Sequence, residues 1–299
     1  MIEVKNLTKR FEDVTALDRL NISVPDGAIY GLVGPNGSGK TTLINHLAGV
    51  YRQDGGEISI DGQPVYENPA IKDKIACIPD DPWFFPMANL REMKWFYKGI
   101  YPRFDATRYE RLKEVFPLDE KRHIRKMSKG MKKQAAFWLS VCLRPDVMLL
   151  DEPLEGLDPV MRRQVLSILM SDVAVSGITI LLSSHVLREL DDVCDHIGVL
   201  HKGRLLLEGR LSDLQSGTVK LQVAFTTPEL PPLPDSLKVL HTSNMGKVHL
   251  LIIRGVLDEV RTQLARLSPL FMEILPLSLE EIFLFELGGE GYAVKDILL

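Results

Sequence analysis

The stretch Gly34-Pro35-Asn36-Gly37-Ser38-Gly39-Lys40-Thr41-Thr42 decides how the chain is read. An apolar run, Ile29-Tyr30-Gly31-Leu32-Val33, leads into it, and a helix-like run, Leu43 to Leu47, leaves it. Strand, glycine-rich turn and helix form the context that a phosphate-binding P-loop requires. Glycine allows the backbone angles and the close approach that a turn wrapped around phosphate needs. Successive N–H groups then point inward, and the helix start adds about half a positive charge. In such a turn Lys40 reaches the β- and γ-phosphates and the Thr41 hydroxyl lies on Mg²⁺. A glycine-rich surface turn is the competing explanation, and it leaves the flanking strand and helix without a reason. The nine residues predict a nucleoside triphosphate site.

A triphosphate that is to be hydrolysed needs a metal and a group that orients or deprotonates water. The apolar run Val147-Met148-Leu149-Leu150 suits a buried parallel strand and delivers Asp151 and Glu152 at its carboxyl end, where ligands sit in open α/β sheets. Asp151 is suited to Mg²⁺ and Glu152 to the work of a general base. Two acids after a strand are equally well a solvated strand end; the upstream P-loop favours the chemical role.

Other segments fill in an α/β chain. Residues 2–5, 20–24, 57–62, 75–78 and 178–182 have strand character, and 197–201 with 204–208 predict a hairpin across Lys202-Gly203. Helices are expected over Val160 to Ala174 and Leu187 to Cys194. From Pro82 to about residue 145, helical spacing (Leu90, Met93, Lys94, Tyr97; then Tyr109, Leu112, Val115, Phe116) predicts a mostly helical insertion. From Lys220 a second region begins, with strands over Leu221 to Phe225, Val248 to Ile253 and Phe271 to Leu275. It also holds a helix over Leu257 to Leu267, a proline-marked loop at 228–234, and a capped helix from Ser278 to Phe285.

With 25% charged residues and a net charge of −4, the 299-residue chain carries no global basic field of the kind that nucleic acid attracts. Cys77, Cys142 and Cys194 lack metal-ligand spacing and suit plain buried thiols in a reducing compartment. No apolar run approaches the roughly 20 residues that cross a bilayer, and Met1 to Lys5 has no signal-peptide character.

Met127-Ser128-Lys129-Gly130-Met131 completes a further pattern. Together with the P-loop, Asp151-Glu152-Pro153, Gly156-Leu157-Asp158-Pro159 and Ser183-Ser184-His185, it resembles the ATP-binding subunits of ABC transporters in order and spacing over roughly residues 2–215. The region beyond is similar to C-terminal extensions of the ABC-2 exporter type, and the Ser-Lys-Gly-Met signature to the acetoin-utilisation branch. The resemblance implies an α/β fold. Its P-loop NTPase sheet carries an antiparallel N-terminal subdomain and a helical insertion at about 82–145. Residues 1–215 form the ATPase domain, and 220–299 a small α+β extension. It implies an ATPase that binds ATP and Mg²⁺, pairs head to tail with a copy or a homologue, and drives an integral-membrane transporter subunit from the cytoplasmic face of the membrane, with no nucleic acid. The alternatives are a soluble ABC-type ATPase on ribosomes or DNA, and a hydrolysis-impaired regulatory subunit.

Roles follow residue by residue from the resemblance. Phe11 stands where an aromatic stacks on adenine. Ser128 and Gly130 open a helix that faces the γ-phosphate of a second subunit, and Asp158 lies at the subunit contact. His185 touches the γ-phosphate and the attacking water. Asp80 takes the place of a glutamine that contacts metal and water, and offers the metal a charged oxygen instead. Lys129 and Met131 also depart from the family pattern, and Lys129 is expected to face solvent. The cluster Lys121, Arg122, His123, Arg125, Lys126, Lys129, Lys132 and Lys133 reads as a solvated basic face. Trp83-Phe84-Phe85-Pro86-Met87, next to Asp80, suits a partner's helix as well as internal packing.

Overall fold

The computed structural model describes residues 1–227 and 229–281. It divides into two compact units, the boundary falling between Glu208 and Gly209.

The first unit opens with β1 (Ile2–Phe11) and β2 (Val14–Val24), both longer than the sequence suggests, then β3 (Ile29–Val33), α1 (Lys40–Leu47), β4 (Gly55–Ile60), β5 (Gln63–Pro64), α2 (Pro69–Lys72) and β6 (Ile75–Ile78). The helical insertion follows: α3 (Leu90–Ile100), α4 (Ala106–Arg111) and α5 (Lys129–Val141). Then come β7 (Val147–Leu150), α6 (Pro159–Ser176), β8 (Thr179–Ser184), β9 (His196–His201) and β10 (Arg204–Arg210). An antiparallel sheet runs in the order β2-β1-β4-β5, and a second runs β10-β9-β3-β8-β7-β6, with β9, β3, β8, β7 and β6 all parallel.

The P-loop helix belongs to both sheets. Leu43, Ile44 and Leu47 of α1 are buried in one cluster with Ile2, Val4 and Leu20 of the first sheet and Leu32, Leu149 and Leu181 of the second. Burying such a side chain contributes about 1.5–3 kcal/mol, so the helix start is anchored by its own apolar face.

The insertion has a separate packing centre. Trp138 of α5 stacks on Tyr109 at 4.5 Å and donates its indole N–H to the Tyr109 carbonyl at 2.9 Å. Asn89 and Glu92 form a reciprocal capping box at the start of α3, which the Asn-x-x-Glu spacing encodes.

Leu187 to Cys194 does not form the expected helix; a single 3-10 turn covers Leu187–Glu189. Glu189 is drawn to Arg162 and to the Ser184 hydroxyl, and a segment this short nucleates a helix poorly. Cys142 and Cys194 are buried as expected, but Cys77, on the edge strand β6, is exposed.

The second unit adds α7 (Leu211–Ser216), β11 (Thr218–Ala224), β12 (Lys238–Met245), β13 (Val248–Arg254), α8 (Leu257–Ala265) and β14 (Phe271–Leu275). Its antiparallel sheet runs β12-β13-β11-β14. Val219, Leu221, Val223, Leu251 and Ile253 meet Val260 and Leu264 of α8 to form its core. Strand β12 was not legible in the sequence, because most of its side chains are exposed and polar and carry no apolar alternation. Of the expected helix from Ser278, residues 282–285 lie outside the described residues; its start is capped, with the Glu281 N–H on the Ser278 hydroxyl.

Candidate active site

The carboxyl ends of β3, β7 and β8 bring the predicted chemical residues to one place. A cavity of 810 Å³ is walled on one side by Asn36 to Thr42, and on the others by Asp80, Glu152 and His185 and by Val14, Thr15, Ala16 and Lys202. Gly39, which caps α1, has φ +112°, a backbone state costly for any residue with a side chain. Gly34 and Pro35 contribute through their carbonyls: the Lys40 ammonium donates to Gly34 O at 2.6 Å and to Pro35 O at 3.3 Å.

Parallel pairing sets the acid pair. β7 lies between β6 and β8, and the Asp151 N–H continues the ladder to the Ile78 carbonyl at 2.8 Å. Asp151 is buried, and each of its carboxylate oxygens is engaged. The Thr41 hydroxyl donates to Oδ2 at 2.7 Å and the Ser183 hydroxyl to Oδ1 at 2.7 Å. Ser183 in turn accepts the Glu152 N–H at 2.9 Å. A short polar chain thus runs from the P-loop helix through the metal-type acid to its neighbour.

Glu152 takes a left-handed backbone conformation, φ +45°, which costs an L residue about 1–2 kcal/mol. Its carboxylate is held at both ends: Oε1 lies 3.3 Å from the Lys40 ammonium and Oε2 lies 2.8 Å from His185 Nδ1. Its carbonyl accepts from the ammonium of Lys133, a fully buried side chain. A hydrogen bond to a charged group contributes about 1.5–3 kcal/mol, enough to offset the strain.

Lys133 also reaches Asp80 Oδ1 at 3.0 Å, and Lys129 approaches the same oxygen at 3.3 Å. Partial burial pushes the Asp80 carboxyl up, but the hydrogen bonds and charges of Lys133 and Lys129 outweigh this and hold it below the ordinary carboxylate range. One expectation is corrected here: Lys133 is buried rather than part of a solvated basic face. Lys129 is exposed, as expected, and pairs there with Glu155 at 3.0 Å and with Asp80. No sequence signal marked Lys133, since a lysine among five other lysines and arginines in twelve residues looks like surface.

Ser128, Gly130, Asp158 and Phe11 take no part in the cavity wall. Ser128 caps α5, accepting the Met131 N–H at 3.3 Å. Gly130 packs so tightly on the turn at Gly156 that a Cβ there would overlap the Gly156 carbonyl oxygen. Asp158 caps α6, accepting from Val160 and Met161, both at 3.0 Å. Phe11 sits edge-on to Tyr51, ring centres 5.5 Å apart, with the Lys9 ammonium 5.3 Å from its ring centre.

Near Asp80 the surface turns apolar. Trp83, Phe85, Met87, Trp95 and Ile100 are exposed, and Trp83, Phe85 and Phe96 make a run of edge-to-face rings.

Comparison with known proteins agrees with this geometry. A family model described as ABC transporter matches residues 17–155. The ABC transporter ATP-binding protein YtrB of Bacillus subtilis (strain 168) is 32% identical, over 97% of this chain and 99% of that protein. A solved structure of an ATP-binding subunit of an ABC transporter aligns with a TM-score of 0.67 and 31% identity, covering 72% of this chain and 92% of the other. The dimeric post-hydrolysis state of the cassette MJ0796, bound to ADP and phosphate, shares the fold at a TM-score of 0.64 and 21% identity, covering 71% of this chain and 99% of that one. The chain belongs to the ATP-binding, ATP-hydrolysing proteins of ABC transporters.

Proposed function

We propose that the chain is one half of a pair that closes head to tail on ATP, each triphosphate lying between Lys40, Thr41 and Asp151 of one copy and the Ser128-led start of α5 on the other. The observation that carries this is the division of the site. Lys40, Thr41, Asp151, Glu152 and His185 converge within one chain, while Ser128 and Asp158 stand outside the cavity at helix starts. A helix start with a serine cap is a second anion site in search of an anion. An isologous contact supplies one across a two-fold axis, and the MJ0796 cassette named above is a dimer.

The donor set at the P-loop fits Mg²⁺. Thr41 Oγ1 and Asp151 Oδ2 are hard oxygens 2.7 Å apart, and Mg²⁺ takes one or two carboxylates together with phosphate oxygens and water. Bound there, the metal supplies charge neutralisation to the β- and γ-phosphate oxygens. Asp80 is a poorer ligand, because Lys133 and Lys129 already engage its Oδ1.

Lys40 exchanges the Gly34 and Pro35 carbonyls for phosphate oxygens, a charge-assisted contact of greater strength. Glu152 accepts the proton of the attacking water, and His185, on Glu152 Oε2, orients it. ATP binds the closed pair better than the open one and shifts the equilibrium; hydrolysis resets it.

The ring cluster of Trp83, Phe85 and Phe96, with Trp83 and Phe85 exposed, suits a helix presented by an integral-membrane transporter subunit. No helix among the described residues is long and apolar enough to cross a membrane. The proposed place of the chain, on the cytoplasmic face beside that partner, rests on its likeness to ATP-binding proteins of ABC transporters.

Glu152→Gln tests the reading. Mixed with ATP and Mg²⁺, the variant is expected to elute as a nucleotide-loaded dimer in size-exclusion chromatography. Its hydrolysis should fall by about 10²- to 10⁴-fold, the usual worth of a general base. Parent-like turnover removes Glu152 from that role, and a variant that stays monomeric while loaded with ATP sinks the head-to-tail pair.

A further inference from the structure

Lys133 projects from α5, five residues past the Ser128 cap, into a fully buried position. Methionine would fill the same volume without the cost of taking a charge out of water, so the ammonium needs a reason. Its partners supply one. They are the Asp80 carboxylate, just beyond the end of β6, and the main-chain carbonyl of Glu152, just beyond the end of β7.

The Glu152 backbone is in the left-handed region, and the carboxylate of the same residue lies against Lys40 and His185. Holding the carbonyl fixes the turn, and the turn fixes the direction in which the side chain leaves. We propose that Lys133 is a positioning residue for hydrolysis. By gripping the Glu152 carbonyl it keeps that carboxylate aimed at the attacking water. By gripping Asp80 at the same time, it ties the aim to the segment that runs on into the exposed rings at Trp83 and Phe85. The proposal rests on Glu152 being the general base, as read above.

The test uses the full chain with K133M, K133Q, E152Q and the double variant K133M/E152Q. Three quantities are measured: kcat and KM for ATP hydrolysis, the Kd of a fluorescent ATP analogue in EDTA, and the thermal midpoint. K133M is expected to lower kcat by about 10- to 100-fold, the cost of a misplaced catalytic group, with KM and Kd within about threefold of the parent. K133Q keeps a neutral donor and should fall between the two. The double variant should be no slower than E152Q alone, because Lys133 acts through Glu152.

A K133M kcat within about threefold of the parent overturns the proposal; inactive E152Q beside it leaves Glu152 standing as the base. Parent-like E152Q overturns the base assignment, and the proposal with it. Loss of nucleotide affinity and thermal midpoint in step with kcat marks Lys133 as merely structural and also overturns it. Should K133M fail to fold, K133Q decides: reduced kcat at unchanged Kd supports the proposal, and parent-like kcat rejects it.

Discussion

The helix starts of the ATPase unit behave in two ways. At α1 the polar groups point into the cavity: Lys40 and Thr41 lie within hydrogen-bond distance of Gly34 O and Asp151, and the glycine that precedes them carries φ +112°. At α5 and α6 the polar groups serve their own helices, Ser128 capping one and Asp158 the other, and neither lines the cavity. One chain therefore assembles a P-loop half-site by itself and presents the other half outward. That asymmetry is the physical basis for assigning the work to a pair.

Ser128→Arg tests this contrast most severely. It places a bulky cation at the outward helix start and leaves the P-loop untouched. Hydrolysis should drop by at least about tenfold, the scale of a transition-state contact worth 1.4 kcal/mol. The Kd of the isolated chain for a nucleotide analogue should change less than about twofold, since that step uses only the P-loop side. A matching loss of nucleotide affinity in the monomer would show that the two helix starts share one cavity, and the contrast would be gone.

Gly130→Ala probes the outward side through stability. The added methyl meets the Gly156 carbonyl, and overpacking of this kind costs about 1–3 kcal/mol. Urea denaturation should register the loss, while Gly99 of α3, where a Cβ would meet nothing and the backbone is helical, provides the control position. Equal stability of parent and Gly130→Ala would mean that α5 is free to move away from the 151–158 segment.

The smallest effect is electrostatic. Asp80 lies between the two regions, with its carboxyl held low by Lys133 and Lys129. A depressed acid stabilises the fold above its unfolded value of 3.8, and the contribution is lost as pH falls through the still lower folded value. Asp80→Asn should therefore flatten the decline of the thermal midpoint below about pH 4, with little change in that slope between pH 6 and 8. Parallel curves for parent and variant across the acid range would detach Asp80 from the lysines.

The chemistry on the cavity side was legible in local sequence. Gly34 to Thr42 and Asp151-Glu152 each follow an apolar run, and in a parallel sheet residues just beyond the strand ends must gather along one edge. His185 also follows such a run, but only the family resemblance gave it a role. The outward side was legible only through family resemblance, because Ser128, Gly130 and Asp158 make helix caps and close contacts that look the same in any helical protein. Phe11 is the weakest case: its ring rests on Tyr51 and lies off the cavity wall, a placement that strand spacing does not encode.

By itself, the amino-acid sequence determined the P-loop, the acid pair and the order of strands and helices around them, since each depends on neighbours a few residues apart. Only the tertiary structure decided where charges end up. Lys133 looks like one more surface cation in a basic run, yet the packing of α5 against the β6 and β7 ends buries it between Asp80 and Glu152. Burial and charge pairing join residues 53 and 19 positions apart, and no local pattern records a contact that forms only when the sheet and the insertion close on each other.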